Sequence, residues 1–204
     1  AKNGGTSVFT DLSKALEEYS GIQFKTVNFP QKRAQKALLD GIVDFDFSCL
    51  EWFKNNDLGP NFVATEPFFE ITEHIVTLKK NTHLFPTRES IFGKRVGTIL
   101  GYHYFDDDEF IRTDFLNENT LIKGLKKERF KVIILERETA KYWAKLNNTE
   151  IGFAALHTSG NLVMRLRKEH SALIPLLNQA IQTMKTSGKL QAILSSHGID
   201  SKIY

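Results

Sequence analysis

Within the first fifty residues the spacing of apolar side chains switches three times between a helical and a strand period, and this pattern constrains the fold more than any single motif. Val8, Phe9, Leu12, Leu16 and Tyr19 recur at three- and four-residue intervals and Gly21 follows, which predicts an amphipathic helix over 7–20 with a glycine stop. Ile22–Phe29 then reads as a strand. Pro30 opens a second helix, its fixed φ suiting a first turn, with Ala34, Ala37 and Leu38 on one face and Gly41 at its end. Val43–Cys49 returns to strand. A strand–helix–strand alternation of this kind builds open α/β sheets covered by helices.

The cadence recurs downstream. A helix over about 120–127 is followed by a turn and the apolar run Val132–Leu135, so Leu39-Asp-Gly-Ile-Val-Asp-Phe-Asp46 and Leu125-Lys-Lys-Glu-Arg-Phe-Lys-Val132 both carry a helix end into a strand start. Two α/β lobes of like design are expected. Ile71–Leu78 and Leu162–Leu166 are β-branched or apolar stretches placed to cross between them. Beyond the second crossing, 171–187 reads as a long helix and 189–197 as a shorter one. A chain that leaves one lobe, builds another and returns leaves a cleft at the carboxyl ends of strands, beside helix amino termini, where ligands bind in such sheets.

Composition excludes several classes. The 204 residues are 41% hydrophobic and include 16 Phe, ample for one large or two small cores. Apolar runs such as Lys131-Val-Ile-Ile-Leu-Glu136 are broken by charge well short of the roughly 20 residues of a membrane span. No Lys/Arg-led leader with a small-residue cleavage site is present, which fits a cytosolic or an already processed chain. The single cysteine, Cys49, forms no intrachain disulfide and no metal knuckle, so no metal and no cofactor are expected. A net charge of +3 with scattered basic residues, including the Lys pairs at 79 and 126, argues against nucleic acid.

Four segments, in order, carry a family resemblance: Pro30-Gln-Lys-Arg-Ala34 with Leu38-Leu-Asp-Gly-Ile-Val-Asp44; Ala64-Thr-Glu-Pro-Phe-Phe-Glu70; Gly93-Lys-Arg-Val-Gly-Thr-Ile-Leu-Gly101; and Ala180–Leu194 with Gly188 between two helices. Over nearly its whole length the chain resembles the extracellular solute-binding proteins of family 3, best known from amino-acid importers. The resemblance implies a type II periplasmic-binding-protein-like α/β fold. It implies a discontinuous first lobe, 1–76 plus 168–204, a second lobe over 81–163, and hinges near 77–80 and 164–167. It further implies a non-enzymatic, monomeric periplasmic protein that closes on a small molecule and delivers it to a membrane ABC permease. A sensory input module and a dehydratase-like enzyme on the same fold are the alternatives.

Two departures from the family pattern are visible. Members begin with a strand ahead of the first helix, whereas Ala1–Thr6 alone precede Ser7 here. Amino-acid-binding members also carry an Arg clamp for the α-carboxylate shortly after the second strand, because a planar guanidinium pairs with both oxygens; this chain has Glu51-Trp-Phe-Lys-Asn55 there, and Gly101-Tyr-His-Tyr104 where small hydroxyl residues are usual. Glu136 matches the acidic position for an α-ammonium.

The candidate ligand-binding residues are therefore Glu51 and Trp52, at the end of a strand, Tyr102 and His103, after Gly101 where a helix is expected to begin, and Glu136 and Arg137, at the end of the 132–135 strand. Asp106, Asp107 and Asp108 are expected in a first helical turn, where the dipole favours acids. Arg33 is read as an anchor for a neighbouring loop, and Phe68 and Phe69 as core. Two acidic candidates and no clamp Arg lean towards a solute that bears an amine.

Overall fold

The computed structural model describes residues 7–203; the expectation about a leading strand falls on residues outside these. Helix α1, Val8–Ser20, starts where the Ser7 hydroxyl accepts from the Thr10 amide at 3.1 Å. It ends at Gly21, whose φ of 72° is open to glycine at little cost. Its buried face, Leu12, Ala15 and Leu16, meets α5 (Ile174–Thr186, burying Leu177, Ala180, Ile181 and Met184) and α6 (Lys189–Ser196). With Cys49, Phe68, Leu162 and Met164 these side chains form the first of the molecule's cores.

The sheet beneath that core is small. Strand β1, Phe45–Cys49, and strand β2, Phe62–Ala64, both run antiparallel to the end of β7, a long strand spanning Ile151–Arg167. Between α1 and β1 lie the segment 22–29, read above as a strand, and α2, Gln31–Leu39. The segment 22–29 forms no strand: among the described residues no strand pairs with it, and it meets β1 through side chains, the Phe24 ring lying edge-on to Phe45 with centroids 5.3 Å apart, beside a cavity of about 640 Å³ that both line.

The second body is built on a sheet ordered β7, β3 (Glu70–Leu78), β6 (Val132–Glu136), β4 (Arg95–Ile99), β5 (Ile111–Phe115). Strand β6 is parallel to β4 and is apolar on both faces, as covered strands are. Ile133 and Leu135 join Val76, Leu121, Leu125 and Phe130 beneath α3 (Glu118–Lys126) and α4 (Arg137–Leu146), while Val132 and Ile134 join Ile75, Phe85, Ile91 and Val96 on the opposite face. No helix among the described residues is long and apolar enough to cross a membrane.

Among the described strands, β3 and β7 alone run through both bodies. Ile71 packs on the first core but Ile75 and Val76 on the second; Ala154 and Ala155 belong to the second but Leu162 and Met164 to the first. The change from one core to the other thus falls between 71 and 75 and between 155 and 162. Register shifts sit at this point: Glu73 opposes Thr158 but His74 opposes Leu156, so His157 is an extra residue without a Cα partner. A bulge of this kind bends the strand and re-aims a side chain; here both His157 and Thr158 are buried.

Candidate functional site

A cavity of about 280 Å³ lies between the two bodies against the crossing strands, at the lower end of the range for small-molecule pockets, about 300–1,000 Å³. Trp52, on a one-turn 3-10 helix that follows β1, lines it from the first body, together with Phe47 and Phe69. Tyr102, His103, Glu136 and Arg137 line it from the second. Five of the six residues expected at the site therefore share one space.

Glu51 does not. Its carboxylate accepts from the Asn161 amide at 3.1 Å and lies over Gly160 of β7, where a Cβ would stand 2.8 Å from Glu51 Cδ. The side chain fastens the end of β1 to the crossing strand and faces away from the cavity lining.

The remaining five differ in what they offer a solute. Glu136 caps α4: its two oxygens accept from the Glu138 and Thr139 amides at 2.8 and 2.7 Å, so its charge sits at the positive end of the helix dipole while its side chain lines the cleft. Arg137 lies over the Phe153 ring at 4.3 Å and contacts His74 Nε2 at 3.3 Å, which turns its guanidinium along the sheet. The Tyr102 hydroxyl donates to Glu118 at 2.7 Å; burial, then the Glu118 charge, hold it protonated far above the ordinary phenol range. Much of His103 is exposed, yet its ring packs on Phe53 with centroids 4.6 Å apart, and burial followed by the nearby Arg165 charge lowers its pKa. A neutral imidazole is the result at pH 7.

No helix begins after Gly101. The chain turns through 102–110 into β5, so Asp106–Asp108 do not occupy a helical turn. Asp107 pairs with Arg112 at 2.9 Å, and Asp108 reaches across to Lys54 of the first body at 2.8 Å. Asp106 is buried and meets His157 Nε2 at 3.0 Å. Gly101 itself abuts α2: a Cβ there would stand 2.5 Å from the Lys32 backbone nitrogen. Gln35 donates to the Gly101 carbonyl, so the bodies touch on the side of the cavity away from the strands. Arg33 lies over the Phe29 ring at 5.8 Å, as the expected anchor of a neighbouring loop would, and Phe68 and Phe69 are core.

Among the cleft residues that escaped the sequence reading, three carry charges on strands. Asp46 on β1 and Arg165 on β7 face each other in register and form a two-point ion pair, Arg165 also lying over the Phe53 and Phe62 rings. Burial raises the Asp46 pKa against the pull of Arg165. Glu73 on β3 is the third, buried and in cross-strand register with Glu136. A charge inside an otherwise apolar stretch, such as Arg165 within Leu162–Leu166, was the available signal. Away from the cleft, Asp44, Glu169 and His170 bring possible metal-ligand atoms within 4.8 Å of one another. That group is largely exposed, with Glu169 paired to Arg167 and His170 to Asp44, each at 3.1 Å.

The geometry has counterparts among solved structures. The GluR0 ligand-binding core in complex with L-glutamate superimposes with a TM-score of 0.80 at 15% identity, covering 96% of this chain and 91% of that one. The amino-acid ABC transporter substrate-binding protein AbpA from Streptococcus pneumoniae, bound to L-arginine, gives 0.75 at 15% identity, covering 96% and 86%. The ancestral amino-acid-binding protein AncCDT-1, a precursor of cyclohexadienyl dehydratase, gives 0.72 at 20% identity, covering 96% and 87%. At these identities the likeness establishes the fold, that of type II periplasmic binding proteins. No curated protein sequence matches the chain. The sequence model of the bacterial extracellular solute-binding proteins, family 3, matches residues 5–199, and the chain belongs to that family.

Proposed function

We propose that this protein captures a small, amino-acid-like solute bearing an amine or guanidine in the cleft between its two bodies, and that bending at the crossing strands closes the bodies on it. The observation that carries this reading is that one cavity receives Trp52 and Asp46 from the first body and His103, Glu136 and Arg137 from the second. A solute touching both is bound better when they are together, and that differential affinity is what drives closure. The cavity's size suits a single amino acid better than a peptide or oligosaccharide.

Charge supports the amine. Asp46 and Arg165 neutralise each other, and the Arg137 guanidinium is engaged on Phe153 and His74, while Glu73 and Glu136 remain to face the solute. The L-arginine bound by the similarly folded AbpA is in keeping with such a ligand. Delivery to an ABC permease, a monomeric state and a location outside the cytoplasm accord with membership of the family. A catalytic reading would need Glu51, His103 and Glu136 to converge on one solute; Glu51 is tied to Asn161 instead, which supports binding over catalysis.

The test is a thermal-shift screen over amino acids, amines and sugars. A solute at about 100 times its Kd stabilises by about 2.7 kcal/mol, which raises the Tm of a chain of this size by about 5–10 °C. Amine-bearing solutes are expected to give this shift. A response confined to sugars, or none to any amine, refutes the proposal.

A further inference from the structure

Like charges placed directly opposite on a strand pair destabilise it unless something offsets them, and Glu73 and Glu136 are such a pair, in register across β3 and β6 with both side chains lining the cleft. Glu136 is offset by the α4 amides. Of the other cleft acids, Asp46 has Arg165, Glu138 has Lys141 at 2.6 Å, and Asp200 is exposed to water.

Glu73 has no equivalent. It is 4% exposed, and its Oε2 accepts no hydrogen bond among the described residues. The Nδ1 of His157 stands 3.9 Å from that oxygen, beyond hydrogen-bond reach. That ring is already committed, through Nε2 to Asp106 at 3.0 Å and through Nδ1 to the Thr158 hydroxyl at 2.7 Å. A buried carboxylate without a donor is costly, and the usual remedies are a paired cation or a bound ligand.

We infer that Glu73 is the primary anchor for a cationic nitrogen of the solute, an ammonium or guanidinium, with Glu136 as the second acceptor across the strand pair. This deepens the cleft reading and rests on it. Because Glu73 lies on a crossing strand, the cation would be held at the hinge end of the cavity, and the rest of the solute would extend towards Trp52 and His103, where the bodies move most.

The experiment is calorimetric titration of the parent chain and of Glu73→Gln with L-arginine and with L-citrulline, which replaces the guanidinium by an uncharged urea of the same shape. The parent is expected to prefer arginine at least tenfold. Glu73→Gln is expected to lose at least tenfold in arginine affinity, to keep citrulline within threefold, and to keep the parent's ligand-free Tm within a few degrees, since the carboxylate's Oε2 accepts no hydrogen bond among the described residues and its ion-pair contact to His157 is long. Retention of the arginine preference by the variant overturns the inference, as does a fall of several degrees in its ligand-free Tm, which would make Glu73 a structural partner of His157. Binding of both probes by the parent without preference overturns Glu73 as selector and leaves the cleft reading standing; binding of neither overturns both.

Discussion

Replacing Glu136 by alanine removes two things at once, and their sizes can be worked out separately. The first is the cap of α4, two hydrogen bonds of 2.7 and 2.8 Å from the Thr139 and Glu138 amides to a charged acceptor at the helix amino terminus. Loss of an N-cap costs about 1 kcal/mol, with a range of about 0.5–2, and in a chain of about 200 residues each kcal/mol lowers Tm by about 2–4 °C. Glu136→Ala is therefore expected to lower the ligand-free Tm by about 2–4 °C, within outer bounds of about 1–8 °C. The second is a solute contact: a hydrogen bond to a charged group is worth about 1.5–3 kcal/mol, so affinity for L-arginine should fall by a factor of about 10–150. Glu136→Gln separates the two, since the amide oxygen still caps one N–H while the charge is gone; it should recover much of the Tm and little of the affinity. Differential scanning calorimetry and titration calorimetry on the same preparations read both. If Glu136→Ala lowers Tm as expected yet binds arginine within twofold of the parent, Glu136 is a helix cap and nothing more.

Two further outcomes follow from the cleft. Gly101→Ala places a methyl group against the Lys32 backbone and puts alanine at a φ of 94°, so closure should be opposed: solute affinity is expected to fall at least fivefold, and small-angle scattering with solute should give a larger radius of gyration than the parent's; an unchanged affinity would mean that this contact is no part of the bound state. His157 gives a pH dependence. Burial pulls its pKa down, but the Asp106 hydrogen bond, the contact with Glu73 and both their charges outweigh it, leaving the folded value above the ordinary 6.5. Its stabilisation is therefore fully present below pH 6.5 and is lost as pH rises through the raised value. Thermal melts from pH 6 to 9 should show a decline in the parent that is flatter in His157→Gln; parallel curves would remove His157 as the cause.

Much of this architecture was legible because local period and tertiary burial agree. The 7–20 helix, the 189–197 helix and the Val132–Leu135 strand sit where their spacing puts them, within a residue or two of α1, α6 and β6. The strand read at Ile22–Phe29 failed for the opposite reason. Alternation and β-branched residues describe a segment suited to a sheet, but a strand exists only through its ladder, and here the segment meets β1 by side chains, Phe24 on Phe45, with no backbone partner among the described strands. The helix expected after Gly101 failed because 102–110 spends its polar groups on tertiary partners, Asp106 on His157 and Asp107 on Arg112, and turns directly into β5.

The site was only partly legible. Strand-end residues such as Trp52 and Glu136 could be placed because the carboxyl ends of strands face the cleft in such folds. Glu73, Asp46 and Arg165 sit within strands, where an isolated charge in an alternating stretch reads as solvent-facing. Which face they occupy is set by cross-strand register, Asp46 opposite Arg165 and Glu73 opposite Glu136, and no local pattern encodes that pairing.

The same crossing explains how binding and movement could be coupled in this chain. Without solute, the bodies are held together at the far side by contacts of small worth: the Lys54–Asp108 pair is exposed on both sides, and such pairs contribute about 0–1 kcal/mol. The Gln35–Gly101 hydrogen bond and the Phe53–His103 ring contact add little more. Open and closed arrangements of comparable free energy are expected from contacts of this size, and the solute need only add a few kcal/mol of contacts available in one of them to shift the population. On the proposed reading, a cation seated on Glu73 and Glu136 would supply those contacts beside the crossing strand β3 and neutralise two carboxylates that face each other across β3 and β6.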